Sequence, residues 1–173
     1  MLTHIYVKDF TIVQRLELEF QPGMTTLTGE TGAGKSILID ALGLALGDKG
    51  EVSLIRAGCS RAEISATFDL ARQPEARAWL ADNGLDQGDE CLVRRLLERE
   101  SRSRAFINGQ PVALSQLQAL GSLLVDIHGQ HAHQSLLRPT EQRRLLDEYA
   151  GAQELAGRVA AMQRRYRDAA TRL

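Results

Sequence analysis

The chain has 173 residues, 43% hydrophobic and 25% charged, with a net charge of −1; that is the balance of one globular domain, or one domain with an appendage. The longest apolar run, Ala41 to Gly47, is seven residues, whereas a membrane helix needs roughly 20, and no basic segment followed by an apolar stretch opens the chain. Two cysteines, Cys59 and Cys91, make neither a disulfide framework nor a zinc knuckle, so the expectation is a cytoplasmic protein without a membrane partner.

In chain order, His4–Lys8 and Arg15–Phe20 alternate in character as strands do, and Gln21-Pro22-Gly23 is a turn. Met24–Thr28 reads as a short strand running into Gly29. From Ser36 the apolar residues Ile37, Leu38, Ala41, Leu42 and Ala45 recur at helical spacing, and Gly47 stands where a left-handed cap belongs. Ala62–Leu70 alternates as a strand. Pro74 opens a short helix that carries Trp79 and Leu80 and closes at Gly84. Cys91–Leu97 and Arg104–Ile107 read as strands, with Asn108-Gly109 a tight turn after them. A capping box is expected at Ser115–Gln118. Leu123–Ile127 reads as a buried strand. From Thr140 the pattern predicts one long helix, in which Leu155, Val159, Met162, Tyr166, Ala169 and Leu173 step as a heptad seam.

One motif carries chemistry. Gly29-Glu30-Thr31-Gly32-Ala33-Gly34-Lys35-Ser36 fits G-x-x-x-x-G-K-[ST], between an expected strand and an expected helix. Its glycines let the backbone wrap a phosphate and turn N–H groups inward, and the helix N-terminus adds partial positive charge. Lys35 is suited to the β- and γ-phosphates, and the Ser36 hydroxyl to Mg²⁺. The expected ligand is a nucleoside triphosphate with Mg²⁺, bound along Gly29–Ile37; no Asn-Lys-x-Asp tetrad is present to read guanine, which counts against a GTPase. Hydrolysis also needs an apolar strand ending in an acid. The strand-like candidate ends at Asp126 and continues into Ile127; Leu145-Leu146-Asp147-Glu148 lies in a helical stretch. If Asp126 served, the chain would be a stand-alone small P-loop phosphotransferase. If nucleotide binding were vestigial, it would be a structural adaptor.

Three segments together carry a resemblance: FTIVQRLELEFQPGMTTLTGETGAGKSILIDALGLALG, SRAFINGQPV and VDIHGQHAHQSLL. They resemble the N-terminal part of bacterial DNA-repair ATPases in the group that includes structural-maintenance-of-chromosomes (SMC) and Rad-type proteins, over about residues 2 to 150. The resemblance implies an α/β fold: a P-loop NTPase, the N-terminal lobe of an ABC/SMC-type head with a mixed sheet (residues 1–140), then the root of a coiled-coil arm (141–173). It implies that the acidic strand and signature motif return after the arm, in a C-terminal lobe of the same protein. It further implies a second head joined through ATP, and DNA, in particular double-stranded ends, as the partner at the nucleoid. Gln130 matches the Q-loop glutamine that helps hold Mg²⁺ and the attacking water, with Gln134 as a weaker match. The 95 positions from Lys35 to Gln130 exceed the usual transporter spacing. Arg56 resembles an arginine associated with nucleotide or DNA. Asp9-Phe10-Thr11 matches a segment near the nucleotide, with Asp9 standing where asparagine is expected.

Eighteen of the 21 basic residues are arginine, five of them between Arg94 and Arg104 against two glutamates. Arg99, Arg102 and Arg104 flank the Asn108-Gly109 hairpin, where they could touch DNA phosphates or serve as charged edge residues that block aggregation. His128, His131 and His133 lack a fourth ligand at metal spacing. Trp79 shares a helical face with Ala76 and Leu80 and is expected in the core.

Overall fold

The computed structural model describes residues 1–28, 34–125, 127 and 139–170. The chain divides into two compact units, Met1–Ile127 and His128–Leu173.

The first unit is built on a six-stranded sheet. Its strands are β1 (Leu2–Phe10), β2 (Val13–Glu19), β3 (Arg61–Asp69), β4 (Glu90–Glu98), β5 (Arg104–Ile107) and β6 (Gln110–Val112). They lie in the order β2-β1-β3-β4-β5-β6, and every ladder among the described residues is antiparallel. Alternation sends one set of side chains inward: Ile5 and Val7, then Ala62, Ile64, Ala66 and Phe68, then Cys91 and Val93, all at or below 1% exposure. Each large aliphatic among them contributes about 2 kcal/mol of burial. At Asp9 the alternation breaks. Its φ of 52° inserts a kink, so Phe10, which would otherwise follow Lys8 outward, turns into the core and is 0% exposed.

Helices α1 (Lys35–Ala45), α2 (Pro74–Asp82) and α3 (Leu114–Leu124) supply the other layer. Ala41, Leu44 and Ala45 of α1 are buried, and the helix packs on β1, β3 and β4. Only one side of α1 is enclosed, since Ile39 is 49% exposed. Leu117, Leu120 and Leu124 of α3 are buried. Gly121 lies so close to α1 that a Cβ there would stand 2.5 Å from the Leu46 carbonyl oxygen. The Gln118 side-chain amide donates to the Gly47 carbonyl at 2.8 Å, and the Gln73 amide to Leu124 at 3.0 Å. Gly47, with φ 111°, is the left-handed cap expected of it.

The hairpin at Asn108-Gly109 forms as expected, with φ of 50° and 77°, the left-handed pair of a two-residue turn. Four expectations change. Met24–Thr28 is not a strand: no ladder includes it, Met24 is 94% exposed and Leu27 50%. A strand exists only beside a hydrogen-bonding neighbour, and the described residues provide none here. Leu123-Leu124 is the last turn of α3 rather than the start of a strand, and Val125 is extended but unladdered. The 117/120/124 stripe against the sheet outweighs the local β propensity. The cap of α3 is Ala113, whose amide donates to the Gln116 side-chain oxygen at 3.1 Å, so half a capping box forms two residues earlier than expected at Ser115.

The second unit contains two helices where one was expected, α4 (Pro139–Tyr149) and α5 (Gln153–Ala170). Gly151 has φ 64°; its amide bonds to Glu148 and that of Ala152 to Asp147 at 2.7 Å. This is a Schellman stop. On α5 the seam residues Leu155, Val159, Met162 and Tyr166 are 58–74% exposed.

Candidate nucleotide site

Gly34 precedes α1 with φ 96°, a left-handed conformation that glycine adopts without strain. The first intrahelical bond of α1 runs from the Leu38 amide to the Gly34 carbonyl at 3.0 Å. The amides of Lys35, Ser36 and Ile37 therefore have no acceptor within the helix. Among the described residues no side chain caps this end, and its first turn holds no acidic residue. A helix head with a lysine and a hydroxyl in its first two positions and no acidic residue in its first turn suits a polyanion with an attendant divalent cation. Ser36 is exposed and Lys35 half-buried. Ile37 packs its side chain on the core, which leaves its amide to serve the site. Gly29, Glu30, Thr31, Gly32 and Ala33 lie outside the described residues, as do Asp126, Gln130, Gln134, His128, His131 and His133.

A second group of residues is drawn together by the backbone. The kinked end of β1 runs beside the segment before β3: Thr11 N donates to Leu54 O at 2.7 Å, Arg56 N donates to Asp9 O at 2.9 Å, and Phe10 bridges Ile55. Asp9-Phe10-Thr11 and Arg56 thus share one place in the fold. Thr11, like Asp9, has a positive φ, 50°, and its buried Oγ1 has no hydrogen-bond partner among the described residues. A β-branched residue in that region is strained.

The arginines between β4 and β5 have individual roles. Arg99 is turned onto the Arg56 loop, with Nε donating to Cys59 O at 2.7 Å and a terminal nitrogen to Ile55 O at 3.2 Å. Arg104 pairs with Glu98 at 2.5 Å. The Ser101 hydroxyl, bonded to the same carboxylate, and then Arg104 hold Glu98 below the usual carboxylate range. Arg102 is exposed. Arg94 pairs with Glu63 at 3.3 Å and lies 5.0 Å from the centre of the Phe106 ring. Trp79 packs against the core as expected.

Sequence reasoning missed Arg95. It is 1% exposed, its Nε has no partner among the described residues, and burial lowers its pKa. Its register neighbours are Ile64 and Ala105. The signal was available: Cys91, Val93, Arg95 and Leu97 occupy alternate positions, so a strand that buries three of them buries the fourth.

The fold and the helix head define a P-loop NTPase lobe. The chain belongs to the AAA domain family, whose pattern matches residues 4–168. It is 50% identical, over all 173 of its residues, to DNA repair protein RecN of Vibrio cholerae serotype O1, and spans 31% of that protein's length. Among solved structures it is similar to the Smc head domain with an extended coiled coil, bound to the C-terminal domain of ScpA, from Pyrococcus furiosus. The TM-score is 0.66 at 22% identity, covering 91% of this chain and 43% of that one. A chain described under the structural biochemistry of ATP-driven dimerization and DNA-stimulated activation of SMC ATPases matches with a TM-score of 0.59 at 22% identity, covering 86% of this chain and 98% of that one. The fold is therefore that of an SMC-type head lobe.

Proposed function

We propose that this chain is the ATP-binding N-terminal lobe of an SMC-like ATPase that acts in DNA double-strand break repair and recombination. The observation that carries the reading is the head of α1: a complete G-x-x-x-x-G-K-S sequence whose Gly34 is left-handed and leads into a helix with no acidic residue in its first turn. In this reading Gly29–Ile37 binds the triphosphate, Lys35 takes its terminal phosphates, and Ser36 with Gln130 holds Mg²⁺. Mg²⁺ when bound neutralises charge that develops on the phosphoryl oxygens. Arg56 gives a further phosphate contact. Lys35 and Gln130 are the residues assigned to catalysis.

The catalytic acid and the signature motif belong, in this proposal, to a C-terminal lobe of the same protein. ATP joins two such heads into a homodimer, hydrolysis releases them, and DNA ends at the nucleoid are the substrate. The segment Met24–Thr28, exposed and unladdered immediately before the loop, supports a missing neighbour strand. The seam on α5 supports residues 141–173 as the root of an arm. The RecN relative, at half identity and about three times the length, supports the repair role.

The test is ATP binding and turnover in the full-length protein beside residues 1–173 alone. The full-length protein should hydrolyse ATP, and Lys35→Ala should lower the rate by at least about 100-fold, as removal of a charge-stabilising group does. Residues 1–173 alone should bind ATP–Mg²⁺ weakly or not at all and turn over negligibly. Lys35-dependent turnover by the short chain at the full-length rate contradicts the split-head proposal.

A further inference from the structure

We infer that Arg99 is a positioning residue for Arg56: it locks the loop that presents the Arg56 guanidinium to a phosphate. The inference rests on the proposal that Arg56 contacts phosphate, and extends it to a residue that touches no ligand itself.

Residues 56–59 form a tight turn, closed by Cys59 N donating to Arg56 O at 3.0 Å, with Gly58 at φ 83°. Arg99 fills that turn. Nε donates to Cys59 O at 2.7 Å, and one terminal nitrogen reaches Ile55 O at 3.2 Å and Arg56 O at 3.4 Å. The Arg99 amide also donates to Ser60 O at 3.0 Å, one step beyond the Arg61–Glu98 pair that ends the β3–β4 ladder. The guanidinium is thus delivered from the rigid end of a sheet. On its other side, the Arg56 amide is held by Asp9 O at 2.9 Å.

Both backbone groups of Arg56 are therefore satisfied, while its side chain makes no hydrogen bond or ion pair among the described residues. A free cation on a fixed backbone binds an anion without first having to order its loop. Every acceptor of Arg99 is a neutral carbonyl, so its positive charge stays uncancelled next to that of Arg56. Two guanidinium groups on one turn, neither bound to a carboxylate, favour a phosphate over any cationic or neutral ligand. A lysine at position 99 would keep the charge but lose the planar fork that bridges the three carbonyls.

The experiment uses the full-length protein with Arg56→Ala, Arg99→Ala, Arg99→Lys and the Arg56→Ala/Arg99→Ala double variant. Binding of a fluorescent ATP analogue with Mg²⁺ and binding of a short DNA duplex are measured separately, to tell nucleotide phosphate from backbone phosphate, with thermal melting recorded beside them. Arg56→Ala should weaken one of the two probes about 10-fold, the size of one charge-assisted contact. Arg99→Ala and Arg99→Lys should each weaken that same probe at least about 3-fold, and Arg99→Ala should change nothing further once Arg56 is alanine. An Arg99→Ala effect of equal size in both backgrounds overturns the inference, because a merely structural role is independent of Arg56. So does an Arg56 effect without an Arg99 effect. If Arg56→Ala alters neither probe, the phosphate role of Arg56 fails first and the inference falls with it.

Discussion

The amide of Arg56 donates a 2.9 Å hydrogen bond to the carbonyl oxygen of Asp9, which ties the kinked end of β1 to the loop before β3. Asp9 can accept in that direction because its φ of 52° turns the chain at that point. Thr11, two residues on, is held at φ 50° with a buried hydroxyl that bonds to none of the described residues. Backbone strain of this kind concentrates at functional sites. Thr11→Gly removes both burdens and should raise stability by about 1 kcal/mol, read from chemical denaturation. A loss of similar size would mean that the Thr11 side chain is needed where it stands.

Asn108 ties the β5–β6 turn both to β4 and to the segment ahead of it. Its side-chain oxygen accepts from Leu92 N at 2.8 Å, and its side-chain nitrogen donates to Leu85 O at 2.7 Å. Asn108→Ala loses both bonds in a site only 8% exposed and places alanine at a positive φ. Destabilisation of about 2–4 kcal/mol should follow. Asn108→Asp keeps the bond to Leu92 and loses the one to Leu85, and its melting midpoint should fall between those of wild type and alanine variant.

Arg95 makes the opposite case. A guanidinium taken out of water without a carboxylate destabilises the fold, and an unbranched apolar side chain of similar length removes that penalty. Arg95→Met should therefore stabilise the first unit, by about 1–3 kcal/mol on the scale of other buried charges replaced by apolar residues. A denaturation midpoint below that of wild type would show that the buried charge has an acceptor worth more than its desolvation.

The Cys91 thiol, 0% exposed, has its pKa pushed by burial from 9.0 up to about 12. The raised value favours the neutral thiol in the fold, so this stabilisation is complete below pH 9 and is lost as pH climbs from 9 toward 12. Below that window a thiol reagent should label the half-buried Cys59 and leave Cys91 unmodified until denaturant is added. Equal labelling rates at pH 8 in native buffer would contradict the burial.

Much of this architecture is legible in the sequence. The Asn108-Gly109 turn, Gly47 after α1, Pro74 opening α2 and the alternation of β3 are local chemistry, and each forms where expected. What escapes is set at long range. Leu123-Leu124 has strand propensity, but the spacing of Leu117, Leu120 and Leu124 over the sheet makes it helix. Met24–Thr28 has a strand's composition and no neighbour to pair with among the described residues. Gly151 ends a helix that periodicity alone carries through it. At the candidate site, Gly34, Lys35 and Ser36 announce themselves by motif. The clamp of Arg99 on the Arg56 loop does not, because nothing in the spacing of two arginines says that one holds the backbone of the other.

The strand order β2-β1-β3-β4-β5-β6 has a consequence for timing. Every ladder except β1–β3 joins strands that are consecutive along the chain, so most pairings close over short loops, the kind of contact that forms fast. Synthesis proceeds at roughly 5–20 residues per second, and β6 ends at Val112. The whole sheet can thus zip together on the ribosome before α5 has been translated.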